Sequence, residues 1–335
     1  MIRIRIVLLI FFPGLFIYLG CAGSGPDEYY NTANKYMEVN KYLKAKLYYT
    51  KSISLNPNEP NYWYGRGLAN YYLGELSAAE VDFNATLMIN GDYADAYISL
   101  GMIYLDEQNY KDALNAFNNG IEKAPTNSIG YQNRGELKYE ILDIKGAVED
   151  YLKVVELDPN STVALNNVAT LYNYMGDWDK ANIYANNSLS KGDSSPQIYA
   201  NLGYALLEKK EYDRAANILD YAINIYPEYA ECYKHRGELK KGRGDEEGGF
   251  ADLRKALELD PDYPKELINR AKGRIDIGFI DGAIEDLDLV IFYNHNLGEA
   301  FYWRGVAKER KGDKRGSEED YTKAEEINPD IRKGM

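Results

Sequence analysis

The chain has 335 residues, with 39 Lys and Arg against 52 Asp and Glu and a formal net charge of −13. That acidity repels phosphate backbones and anionic headgroups, which makes nucleic acid and a charged membrane surface poor candidate partners. Apolar residues make up 45% of the chain, enough for a large core, and the 32 tyrosines stand out.

The first element is an N-terminal segment, MIRIR followed by IVLLIFFPGLFIYLG and then Cys21. Two basic residues and about fifteen apolar ones, broken by Pro13 and Gly14, suit a cleaved signal better than a membrane span, which needs roughly twenty. Residues 1–20 are therefore expected to be a signal peptide. Leu19-Gly20-Cys21-Ala22 resembles the lipobox of bacterial lipoproteins, which implies lipidation at Cys21 and a short linker over 21–25. Cys232 is the other cysteine, so no internal disulfide is expected once Cys21 is modified.

From Pro26 onward the chain repeats with a period of 34 residues. Pro57, Pro125, Pro159, Pro227, Pro261 and Pro329 share one register position, with Gly91, Asp193 and His295 in the same column. Nine units start near 26, 60, 94, 128, 162, 196, 230, 264 and 298 and run to 331, with 332–335 as a frayed tail. The third unit is representative. Tyr97, Leu100, Gly101 and Tyr104 form one helical stripe, a polar turn follows, and Tyr110, Ala113, Phe117 and Ile121 form a second. Neither stripe can be buried by one such pair alone, so each pair needs neighbours. The eighth position is Ala or Gly in every unit, the twentieth is Ala, Gly or Ser, and the fourth is bulky throughout, from Tyr29 to Phe301. Small columns of this kind let two helices cross closely. In the last unit the apolar twenty-eighth column becomes Glu325, as a solvent-facing end requires.

Period, bulky fourth position, small eighth and twentieth positions and closing proline together resemble the tetratricopeptide repeat. The resemblance covers residues 26–331 and extends to bacterial lipoproteins that carry such repeats. It implies an all-α fold, a right-handed superhelical solenoid of nine antiparallel helix pairs. It also implies a concave partner-binding groove built from the second, fifth, ninth, twelfth and thirteenth positions. Carried over, that groove holds Tyr30, Met37, Tyr64, Leu68, Tyr71, Ile98, Met102, Leu105, Tyr139 and Tyr204. Within the third unit, what is left for a partner narrows to Ile98, Met102 and Leu105. Exposed Tyr and Met suit capture of a protein or extended peptide.

A second regularity is electrostatic. Arg66, Arg134, Arg236, Arg270 and Arg304 occupy the seventh position of five units, and the same five carry Asp82, Asp150, Asp252, Asp286 and Asp320 at the twenty-third. The expected arrangement is a structural Arg–carboxylate bridge between the two helices of a pair. No motif for catalysis emerges. His235 and His295 lie in different units, no metal-ligand spacing appears, and Gly242-Arg243-Gly244-Asp245 falls where a turn is expected. Gly248 and Gly249, placed within a helix, mark the seventh unit as the expected weak point.

The reading from sequence is a non-enzymatic adaptor without cofactor, metal or nucleic acid. It is extracytoplasmic and held to a membrane only through Cys21, with the outer membrane or periplasmic side favoured. It binds other proteins or extended peptides and assists assembly of an envelope complex. The alternative is an accessory or regulator of a peptidoglycan or glycan enzyme.

Overall fold

A computed structural model describes residues 25–331. The expected signal peptide, Cys21 and the tail over 332–335 lie outside the described residues. Eighteen α-helices and no strands occur among the described residues. The described residues divide into two compact parts, residues 25–125 and 126–331.

The first part holds α1 (Pro26–Glu38), α2 (Tyr42–Leu55), α3 (Pro60–Tyr72), α4 (Leu76–Ile89), α5 (Ala94–Asp106) and α6 (Tyr110–Lys123). The second holds α7 (Ser128–Glu140), α8 (Ile144–Leu157), α9 (Thr162–Met175), α10 (Trp178–Ser190), α11 (Pro196–Glu208), α12 (Tyr212–Ile225), α13 (Ala230–Gly242), α14 (Glu246–Leu259), α15 (Tyr263–Asp276), α16 (Ile280–Tyr293), α17 (Gly298–Lys311) and α18 (Lys314–Ile327). Within each part every helix packs on its neighbours in the chain, so the architecture is a solenoid of helix pairs.

The helix ends have local causes. Pro60 and Pro196 sit at the first turns of α3 and α11, where the missing N–H costs nothing. Asp143, Asp177, Asp245 and Asp313 cap α8, α10, α14 and α18 by accepting from backbone N–H groups. The turn inside every pair passes through one left-handed residue at the fifteenth position. Five of these are glycines, Gly74, Gly176, Gly244, Gly278 and Gly312, and the other four are Asn40, Gln108, Leu142 and Lys210. The Gly-Arg-Gly-Asp stretch is thus a turn glycine followed by a cap, Gly244 and Asp245.

The small eighth position is explained by the side chain above it. A Cβ at Gly67 would lie 2.6 Å from Phe83, one at Gly101 2.5 Å from Phe117, and one at Gly203 2.5 Å from Leu219. The twenty-fourth side chain lies directly on the eighth backbone position, and that contact sets the spacing of the two helices. In the seventh pair the approach is closest of all to backbone. A Cβ at Gly249 would meet the carbonyl oxygen of Gly237 at 2.9 Å. Gly249 is therefore required by packing. Glu325 is exposed, and Ile331 is buried over Gly298 at the last pair.

The eighth pair departs from its neighbours. At its third position the others of the second part carry small or apolar buried residues such as Ala164, Ile198 and Cys232, but here Glu266 is exposed. Gly273, in the column of buried Leu171, Ala205 and Leu239, faces open space. Charges take over that junction. Lys234 contacts Asp260 at 2.7 Å and Glu231 and Glu266 at 3.1 Å, and Arg270 contacts Glu238 at 2.6 Å.

Three single substitutions separate these effects in thermal or denaturant melts. Gly101→Ala forces a methyl against Phe117 and is expected to cost about 1–3 kcal/mol. Gly273→Ala adds helix propensity in open space and is expected to add about 0.5–1 kcal/mol. Leu142→Gly relieves a left-handed side chain and is expected to add roughly 0.5–1 kcal/mol.

Candidate interaction surface

The ion-paired set is the most regular side-chain arrangement in the molecule. In each of the five pairs the guanidinium grips the carboxylate with two parallel bonds. Arg Nε donates to Asp Oδ2 at 2.8–3.0 Å and Nη2 donates to Oδ1 at 2.5–2.8 Å. All five aspartates are buried. A third partner completes each set from the eleventh position. Asn70 donates to Asp82, Lys138 pairs with Asp150, Lys240 with Asp252, Arg274 with Asp286 and Lys308 with Asp320, all at 2.7–2.9 Å. The four pairs lacking Arg and Asp carry Tyr36, Tyr104, Tyr172 and Leu206 in that column. The eleventh column was legible in the sequence, switching with the other two, and the two-residue reading passed over it.

The same arginines tie neighbouring pairs together. Nη1 of Arg236 reaches Asp220 at 2.7 Å, and Nη1 of Arg304 reaches Asp288 at 2.6 Å, each sixteen residues back in the preceding pair. Arg270 finds Arg254 at the corresponding place and turns to Glu238 instead. At Asp252 burial opposes the charge, but bonds from Arg236 and Lys240 outweigh it and hold the carboxyl below the usual carboxylate range. Lys234 shows the same balance for a cation. Burial disfavours the ammonium, yet Glu231, Asp260 and Glu266 together raise it above its ordinary range.

The expected groove is only partly accessible. Tyr30, Met37, Leu68, Tyr71, Met102, Tyr139 and Tyr204 are half-buried, each presenting some surface. Tyr64, Ile98 and Leu105 are buried, at 4%, 0% and 6% exposure, and cannot contact a partner as they stand. This corrects their assignment to the groove. Tyr64 and Ile98, both at the fifth position, are enclosed by neighbouring helices. Tyr64 packs on Tyr93 with ring centroids 4.9 Å apart and its hydroxyl lies 3.4 Å from that of Ser99 in the following pair. Ile98 is covered from α6, where Gly120 leaves only enough room for the Ile98 side chain. Of the third pair's three candidates, Met102 alone keeps exposed area.

In the first part the accessible residues sit in an aromatic lattice. Tyr30 lies 5.2 Å from Tyr62, Tyr72 stacks on Tyr42 at 4.8 Å, and Tyr71 donates to Asp106 at 3.0 Å. Burial raises the hydroxyl of Tyr72 to a pKa of about 12, which keeps that phenol neutral. In the second part the surface is polar. Asn201 donates to Asn166 at 2.7 Å and to Thr170 at 2.8 Å, and Asn173 donates to the backbone of Asn201 at 2.9 Å. Tyr204 stacks on His235 at 4.7 Å and meets Trp178 edge-on at 5.4 Å. Among the described residues no group of three or more His, Cys, Asp or Glu is arranged to hold a metal ion.

Models of the tetratricopeptide repeat match residues 30–95 and 169–230, 94–127, and 298–331, between them more than half of the chain. The chain belongs to the tetratricopeptide repeat family. It is 27% identical over 267 residues to the mitochondrial import receptor subunit TOM70 of Homo sapiens, covering 71% of this chain and 44% of that protein. It is 25% identical over 207 residues to the protein CTR9 homolog of Arabidopsis thaliana, covering 59% and 19%. The chain thus spans less than half the length of these curated relatives. Its fold is similar to that of Pseudomonas aeruginosa PilF, with a TM-score of 0.58 at 16% identity over 64% of this chain and 97% of that one. It is also similar to PilW, described as a widely conserved type IV pilus biogenesis factor, with a TM-score of 0.55 at 16% identity over 62% and 96%.

The fourth pair tests the three-membered set against the apolar design already present in the third. Asp150→Ala strands Arg134 and Lys138 and is expected to cost about 3–5 kcal/mol in denaturant melts. Arg134→Leu, Lys138→Tyr and Asp150→Ala together copy Leu100, Tyr104 and Ala116, and are expected to cost less than the single change. Acid titration checks Asp252. A carboxyl depressed in the fold stabilises fully above the unfolded value near 3.9, and that stability is lost as pH falls through the lower folded value. The Asp252→Asn variant should show a shallower loss of stability below about pH 4 than the native chain.

Proposed function

We propose that the chain is a non-catalytic protein-interaction scaffold of the cell envelope that captures other proteins or extended peptides on the face of its first helices. The observation that carries this reading is the half-exposed set Tyr30, Met37, Leu68, Tyr71 and Met102 on α1, α3 and α5. Large apolar and aromatic side chains held at the surface in a fixed lattice offer contact area at low entropic cost. Repeat solenoids present such surfaces along consecutive first helices. Attachment through Cys21 places the scaffold at a membrane, and among the described residues no helix is long and apolar enough to cross one. The fold shared with PilF and PilW supports an envelope role, in assembly of a multi-protein machine. TOM70, by its name a subunit of an import receptor, supports protein capture.

Two measurements test this. The mature N-terminus, read by mass spectrometry, should begin at a lipid-modified Cys21; unmodified peptide continuing upstream of Cys21 would sink the anchored-scaffold reading. Affinity capture from detergent-solubilised envelopes should return defined proteins in fixed ratio to the chain. Leu68→Glu with Met102→Glu should lower that recovery at least tenfold while leaving the melting temperature within a few degrees. Recovery that is indifferent to both changes, or enrichment on purified cell wall instead, would assign the activity elsewhere.

A further inference from the structure

The second helix of each pair turns one face away from its first helix, and in the first part the chemistry of that face changes sharply. On α2 the outward residues are Leu43, Leu47, Thr50 and Ser54, and on α4 they are Ser77, Val81, Asn84 and Met88. On α6 the same register holds Lys111, Asn115, Asn118 and Glu122. Leu43, Leu47, Val81 and Met88 are 60%, 58%, 63% and 89% exposed. They form an uncovered apolar stripe on the first two pairs that stops at the third.

Charge accompanies the stripe. Helix α2 carries Lys44, Lys46 and Lys51 and no carboxylate. Residues 26–59 hold five lysines against four carboxylates in a chain of net charge −13. Lys44 lies over the Tyr36 ring at 5.5 Å, and Lys51 lies 4.8 Å from the Tyr48 ring and 5.3 Å from that of Tyr29. Both lysines flank the outward leucines along α2, with their ammonium groups resting on tyrosine rings. Leucine flanked by lysine on one helix face is the chemistry of an interfacial helix. The apolar side chains enter the acyl boundary and the ammonium groups meet phosphate.

The position in the chain selects lipid as the occupant. Cys21, the proposed attachment point, lies five residues before Pro26, where α1 begins, and five residues span at most about 18 Å. A membrane-held N-terminus thus keeps α1 and α2 within reach of the bilayer. The continuous stripe lies on the pairs nearest that tether, the same columns further along holding only isolated exposed apolar residues such as Ile183 and Phe292. We propose that the outward face of α2 and α4 docks on an anionic lipid surface, fixing which side of the scaffold faces away from the membrane. This rests on the membrane attachment proposed above for its location.

The test is amine footprinting of the full chain with vesicles of phosphatidylethanolamine and phosphatidylglycerol, read by mass spectrometry lysine by lysine, with co-flotation measured in parallel. The comparison is a variant combining Leu43→Ser, Leu47→Ser, Val81→Ser and Met88→Ser, whose altered side chains are all exposed and leave the core intact. Lys44 and Lys51 should be acylated at least threefold more slowly in the native chain than in the variant. Lys111 and Lys145, at outward positions of later pairs, should react equally in both. A native chain that floats with Lys44 and Lys51 unprotected overturns the docking alone. One that neither floats nor is protected overturns docking and attachment together. A chain that floats only while the stripe is intact supports the docking and removes the N-terminal attachment. Protection that appears only after envelope proteins are added overturns the lipid assignment.

Discussion

The fold depends on one steric relation, a side chain of the second helix resting on bare backbone of the first. Phe83 over Gly67, Phe117 over Gly101 and Leu219 over Gly203 leave no room for even a methyl group. Once that contact is set, the two helices of a pair have one register, and each pair presents the same two flanks to its neighbours. Sheet pairing and long-range loop closure play no part among the described residues. The order of the array is carried by contacts between elements adjacent in the chain, the quasi-one-dimensional situation in which each interface adds its own increment of stability.

Upon this frame two designs of pair occur. In one, an aspartate is buried with Arg and a third donor around it; in the other, uncharged residues such as Leu, Val, Ile, Tyr, Ala or Thr occupy the same columns. Three positions change together because a buried carboxylate stripped of even one donor is costly, whereas complete satisfaction or complete removal is tolerated. The charged design also gives something the apolar one lacks. The spare guanidinium nitrogen of Arg236 or Arg304 reaches back sixteen residues to a carboxylate on the preceding pair. Such a bond fixes the angle between pairs as well as within them. At the eighth pair this linkage is drawn to its limit, with Glu266 and Gly273 in columns that elsewhere are small, apolar and buried.

The tyrosines take two distinct roles. Some are structural, such as Tyr49 and Tyr64, whose rings are enclosed and whose hydroxyls burial holds well above the ordinary range. Others, such as Tyr30 and Tyr71, use the same packing to stand partly exposed in a fixed orientation. A surface ordered in this way loses little entropy on meeting a partner. The stripe on α2 and α4 is a different kind of surface, with long flexible side chains uncovered and lysines at its flank. The first helices and the second helices of these pairs thus present chemically distinct faces, one ordered and aromatic, the other aliphatic.

Much of this was written in the sequence. The 34-residue period, the paired helices, the glycine and proline stops and the co-occurrence of Arg and Asp are local or strictly periodic. Local sterics and propensity suffice to dictate them. The eleventh column was equally visible, since Asn70, Lys138, Lys240, Arg274 and Lys308 appear only where Arg and Asp do. The left-handed turn residues were half visible: glycine announces such a turn, but Leu142 and Lys210 do not. What only the tertiary structure decided was exposure. Tyr30 and Tyr64 occupy the same register position, as do Met37 and Leu105, yet one of each couple keeps surface and the other is enclosed. Burial of a side chain on a first helix depends on residues of the adjoining pair, such as Ser99 beside Tyr64, and on how closely those pairs stack. No periodic pattern within one unit contains that information.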